Sequence, residues 1–90
     1  MADVDDILEH MRHSPADIRF DEAAKVCEHH FGRPRQGGTS HRIYKTPWPG
    51  DPRVNIQRGK DGKAKPYQVR QVVRAIDRLR AMQEEAHDGE

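Results

Sequence analysis

Arg53-Val54-Asn55-Ile56-Gln57-Arg58 alternates polar and apolar residues at period two, which places Val54 and Ile56 on one face of a strand. On its N-terminal side lies Thr46-Pro47-Trp48-Pro49-Gly50-Asp51-Pro52. Three prolines exclude a central strand there, so this segment reads as a loop. Before it, Thr39 to Lys45 is β-prone, with Ile43 and Tyr44 as its strongest strand formers. Gly37-Gly38 signals a turn, and Arg33 to Gln36 reads as a weak strand. On the C-terminal side, Gly59 to Lys65 is a second loop carrying two glycines and three lysines. Pro66 then suits the first turn of a helix. Val69, Val72, Val73, Ile76, Leu79 and Met82 (or Gln83) give that helix its apolar face, while Glu84 to Glu90 is expected to fray into solvent.

Two helices precede the strands. Val4, Ile7, Leu8 and Met11 fall at i, i+3, i+4 and i+7, so Asp3 to His13 reads as a short helix that needs a surface to pack on. Ser14-Pro15-Ala16-Asp17 breaks it. The second helix runs from about Phe20 to Phe31, with Phe20, Ala23 (or Ala24), Cys27 and Phe31 as its stripe. Gly32 suits a left-handed C-cap and Pro34 forbids continuation. The expected order is helix, helix, three strands, helix. That is an α+β sandwich of two layers, with a three-stranded antiparallel meander packed on helices. Residues 1–13 form an acidic helical extension, 14–82 the main domain and 83–90 an acidic flexible tail. Ninety residues make one domain with a single modest core.

The net charge of +1 conceals a segregation. Residues 1–32 carry three basic and eight acidic groups, residues 33–80 thirteen basic and three acidic, and residues 81–90 four acidic and no Lys or Arg. A basic centre between acidic ends points to a polyanion as partner. A solvated helix face accounts for some of the arginines in the last helix, but not for the cations clustered in loops. No apolar run approaches the roughly 20 residues of a membrane span. The acidic, polar start is unlike a secretory signal peptide. The lone Cys27 forms no internal disulfide, so a cytoplasmic, reducing setting is expected.

Gly37-Gly38-Thr39-Ser40-His41 is the most informative local run. Glycines before a strand let another backbone approach closely, such as that of a nucleic acid. A histidine just beyond can exchange a proton near neutral pH. Metal-independent RNA cleavage needs a base for the 2′-hydroxyl, an acid for the leaving 5′-oxygen, and cations for the transition-state charge. His41 suits either proton-transfer role. Arg42, Lys45, Arg58 and Lys60 are candidates for the charge. Spacing alone leaves His41 open between this role and that of an edge-strand histidine satisfied by backbone. If Ile43 faces the core, His41 stands at the core's rim, where desolvation disfavours its charged form. Lys60, Lys63 and Lys65 lead into a helix N-terminus, an arrangement that suits phosphate; a merely flexible loop is the alternative. His29 and His30, ending a helix, read as structural, with a protonated histidine favouring the dipole's negative end. His10 and His13 stand at i, i+3 without the further ligands of a zinc site, and no metal or other cofactor is expected. Cys27 reads as a core residue, Trp48 as cover for an apolar edge, and Tyr44 and Tyr67 as packing residues rather than base platforms.

Gly38 to Tyr44 (Gly-Thr-Ser-His-Arg-Ile-Tyr), the spacing to Val54-Asn55-Ile56, and the run from Gly62 to Gln71 together resemble the HicA (YcfA-like) toxins over roughly Pro15 to Leu79. The resemblance implies a double-stranded-RNA-binding-domain type of fold (α-β-β-β-α), here with an extra N-terminal helix. It implies a type II toxin that cleaves mRNA, with the family's active-site histidine on His41, its serine on Ser40 and its glycine on Gly38. The implied partner is a HicB antitoxin that covers the active site. Thr39 is a departure, standing where many members have a simpler Gly-Ser-His. The alternative expectation is a non-catalytic RNA-binding or protein-interaction module of the same fold.

Overall fold

A computed structural model of the chain describes residues 3–37 and 40–88. Helix α1 spans Val4–His13 and α2 spans Phe20–Phe31. Strands β1 (Gln36–Gly37), β2 (His41–Tyr44) and β3 (Val54–Gln57) follow, and α3 (Pro66–Asp88) closes the chain. The molecule is α+β.

The antiparallel β2–β3 pair carries the sheet. Its register sets His41 opposite Gln57, Arg42 opposite Ile56, Ile43 opposite Asn55 and Tyr44 opposite Val54. Residues opposite one another share a face, so Tyr44, Val54 and Ile56 turn to the helices and are buried. His41, Ile43, Asn55 and Gln57 form the other face, none of them buried. On the far edge of β2, β1 pairs Gln36 with Ile43 and Gly37 with Arg42. The short strand expected at 33–36 is thus found shifted toward the glycines. Pro34 has no N–H to give to a ladder. The Arg35 N–H, donating to the Ile43 carbonyl at 2.6 Å, begins the pairing instead.

Helix α1 starts at Asp3, whose carboxylate accepts from the Asp6 N–H at 2.9 Å. It buries Ile7, Leu8 and Met11 in the same core as Phe20, Val26 and Cys27 of α2 and Val69, Val72, Ala75 and Ile76 of α3. The N-terminal segment is therefore a structural part of the core. Helix α2 ends at Gly32, whose φ of 83° is the left-handed value that glycine tolerates best. Helix α3 extends through Asp88, past the point where fraying was expected at Glu84. Ala81-Met82-Gln83-Glu84-Glu85 is a run of strong helix formers, and propensity sustains it without a core. Met82, expected on the apolar face, is exposed because α3 has outrun the core by then.

One buried side chain closes the sheet's edge. Gln68, in the first turns of α3, is 5% exposed. Its carboxamide accepts from the outward N–H of Gln57 at 2.8 Å and donates to Asn55 Oδ1 at 2.7 Å. The Gln57 N–H points away from β2 and would otherwise lack a partner in the ladder; Gln68 stands in for the missing strand.

Candidate functional site

The alternation of β2 divides the expected site residues between two faces. His41 is exposed on the face away from the helices, with no side-chain hydrogen bond or ion pair among the described residues. The condition that would place His41 at the core's rim is not met. Ile43 does not face the core; Tyr44 does, and His41 turns outward with Ile43. Ser40 is exposed beside it, and its carbonyl accepts from the Arg58 N–H at 2.7 Å. That bond holds the start of β2 against the end of β3. Gly38 lies outside the described residues.

Arg42 and Arg58, both expected to contact a nucleic acid, turn to the opposite face. Their guanidinium carbons lie 5.3 and 4.9 Å from the centroid of the buried Phe20 ring. Each also meets a carboxylate of α2. Arg42 Nη1 is 3.3 Å from Glu28 Oε2, and Arg58 Nη2 is 3.1 Å from Asp21 Oδ1. Two arginines over one ring, each tied to an acid, roof the edge of the core. The sequence order in which acids precede bases hides this, because the acids lie on α2 and the bases on strands packed against it. Glu28 also accepts from the Tyr44 hydroxyl at 3.4 Å. Burial, foremost, pushes the Tyr44 phenol up to about 12, so it keeps its proton near neutrality. Burial likewise raises the Cys27 thiol, which is inert in the core.

The lysine loop is anchored. Arg19 and Lys63 form an antiparallel bridge, as do Arg58 and Ala64. The Phe20 N–H donates to the Gly62 carbonyl at 3.0 Å, and the Ala64 N–H to Ile18 at 2.8 Å. Gly62, with φ 79°, makes the turn that brings them there. Lys63 Nζ lies 3.0 Å from Asp17 Oδ1, so this lysine is occupied. Lys60 is exposed at the loop's tip and Lys65 is half-buried before α3. Of the expected cations, Lys45, Lys60 and Lys65 therefore have no acidic partner among the described residues.

Cavities among the described residues flank the sheet. One, of about 360 Å³, is lined by Asp21, Lys25, Glu28 and Arg42, so its two cations face two carboxylates. Another, of about 390 Å³, lies where the 46–53 loop folds back on β2. Arg35, Lys45 and Arg53 line it with Ile43 and Pro49, and no acidic residue contributes to it. Arg35 and Arg53 were not singled out from the sequence, because they stand apart from the Gly-Thr-Ser-His run. Pairing of Arg35 with Ile43 and the return of the loop bring them together.

Trp48 covers an apolar edge as expected. It is buried, donates from Nε1 to the Pro52 carbonyl at 3.0 Å, meets Phe31 edge-on, and carries Arg78 over its ring. Tyr44 packs in the core. Tyr67 does not; at 59% exposure it corrects the expectation of a packing role. His10 lies 3.4 Å from Asp17 and His13 2.7 Å from Glu9. His30 is half-buried at the end of α2: burial, foremost, then His29 and Arg80, hold it below the usual histidine range, and its Nε2 has no partner among the described residues. No group of three metal-ligating side chains occurs among the described residues. No helix among them is long and apolar enough to cross a membrane. Comparison with family models, curated proteins and solved structures finds no match to this chain.

Proposed function

We propose that the chain is a metal-independent endoribonuclease, the toxin of a type II toxin-antitoxin pair, acting on mRNA with His41 as general acid or base. One observation supports this above the rest. His41 is an exposed imidazole with no side-chain partner among the described residues, on an open sheet face between Ser40 and the cationic cavity at Lys45. An imidazole so placed is accessible to a phosphodiester and free to exchange a proton. In the reaction, the 2′-oxygen loses its proton to a base and bonds to phosphorus. The P–O5′ bond breaks, and the 5′-oxygen takes a proton from an acid. Lys60, which leaves the sheet at the His41 end, is the unpaired cation best placed by chain position to balance the charge. Arg42 and Arg58 serve the roof over Phe20 and have a smaller part in RNA contact than their charge suggests.

The meander of β1, β2 and β3 with helices on one face supports a double-stranded-RNA-binding-domain type of fold carrying an extra N-terminal helix. The sequence resemblance to HicA toxins supports a HicB-type antitoxin as partner and a cytoplasmic site of action. A non-catalytic RNA-binding module is favoured by one feature: the residue directly across from His41 is Gln57, which transfers no proton. Cleavage of single-stranded and structured RNA in EDTA, with wild type and His41→Ala, separates the readings. The nuclease reading expects cleavage that survives EDTA and disappears in the variant. RNA binding without cleavage by wild type would favour the module, and equal cleavage by His41→Ala would remove the histidine from the mechanism.

A further inference from the structure

We propose that the cavity lined by Arg35, Lys45 and Arg53 is a phosphate subsite that holds the RNA strand at a point more than one nucleotide from the bond beside His41. The inference rests on the RNA reading of that face. Three observations carry it. First, the three side chains are exposed cations, without a carboxylate in the cavity or an ion-pair partner among the described residues. Arg42, Arg58, Lys63 and Arg12, by contrast, all meet acids at 3.3 Å or less, while Lys60 and Lys65 stand singly outside the cavity. Uncompensated charges gathered from three separate segments repel one another, and an anion relieves that repulsion. Second, Ile43 and Pro49 contribute apolar surface to the cavity lining, suited to the sugar between phosphates. Third, it opens at the end of β2 away from His41, where Ile43 lines it from the outward face that His41 shares and Tyr44 and Trp48 line it from the buried side. His41 and Ile43 alternate along one side of β2, and Lys45, the residue just past the strand, follows His41 by four residues, at most about 13 Å. A single strand lying along β2 would meet the histidine at one end and the three cations at the other.

The subsite has a consequence for substrate choice. A dinucleotide spans too little to use it, whereas a longer strand gains one or more phosphate contacts. The test is binding of a fluorescent, non-cleavable 2′-O-methyl RNA octamer, followed by anisotropy over a range of salt. Arg35→Gln/Arg53→Gln is compared with Arg70→Gln/Arg74→Gln, which removes the same charge from the exposed side of α3. The cavity variant is expected to bind about ten-fold more weakly, with a salt slope shallower by about 1. The α3 variant is expected to lose about two-fold or less. Arg35→Lys/Arg53→Lys, keeping the charge, is expected to restore most of the affinity and separates charge from folding. Equal losses in the two glutamine variants, or no loss in either, would overturn the subsite while leaving RNA binding intact. Absence of salt-dependent binding by wild type would overturn the RNA reading and the subsite with it.

Discussion

At the scale of single residues, His41 and Arg42 are neighbours with opposite fates. One faces solvent without a partner; the other lies over Phe20 and pairs with Glu28. The run Gly38 to Tyr44 marked both as site residues, and a strand's period of two separates them. Period two was legible in the sequence, but its phase was not. Ile43 and Tyr44 are both good core residues, and only the pairing of Tyr44 with Val54 selects Tyr44 as the inward one. Gln68 was invisible for a different reason: nothing local marks a glutamine as the substitute for a strand. Its role gives a prediction. Gln68→Ala leaves the Gln57 N–H and Asn55 Oδ1 without their partner, and should destabilise the fold by about 1–3 kcal/mol. Urea unfolding reads this directly, and a change within error would mean water replaces the carboxamide. His30 gives a second. Its folded pKa is depressed, so the unfolded chain takes up the proton first. Stability should therefore fall as pH drops below the unfolded value of about 6.5, until the folded pKa is passed. Urea midpoints at pH 7.5 and 5.5 should differ in wild type, and the difference should shrink in His30→Leu.

At the scale of elements, the two ends of the chain look alike in sequence and behave differently. Both are acidic and were read as appendages. Helix α1 places Ile7, Leu8 and Met11 in the core, and Arg12 forms a two-pronged pair with Asp77 of α3 at 2.5 and 3.1 Å. The end of α3 carries exposed side chains from Ala81 to Glu85. Burial of three large apolar side chains is worth about 1.5–3 kcal/mol each, comparable in sum with the whole stability of a small domain. Removal of residues 1–13 should thus leave a chain that does not unfold cooperatively. Removal of residues 84–90 should move the urea midpoint little. Circular dichroism with urea titration on both truncations checks the pair, and a cooperative fold without residues 1–13 would contradict the placement of α1. The amphipathic spacing of α1 was plain in the sequence. What it packs against was not, since its partners lie on α2 and α3, distant in sequence.

At the scale of the whole molecule, the charge segregation has two meanings. Part of it is internal: Asp17, Asp21, Glu28 and Asp77 meet Lys63, Arg58, Arg42 and Arg12 across the packed elements. The remainder includes Arg35, Lys45 and Arg53 at one cavity beside the sheet and Arg70 and Arg74 on α3, and the cluster at the cavity is the part that speaks for a polyanion. Exposed pairs add little stability, so the internal share reflects orientation of the layers more than strength. The sequence carried the total and its order along the chain; which cations stay free depends on contacts between α2 and the sheet that no local pattern encodes. The central claim, that His41 drives cleavage through the 2′-hydroxyl, is tested most directly by the ends of the RNA products. Wild-type protein in EDTA should produce 2′,3′-cyclic phosphate and 5′-hydroxyl ends, and His41→Ala should produce neither above background. Products with 5′-phosphate ends, or the same cyclic ends made equally fast by His41→Ala, would contradict it.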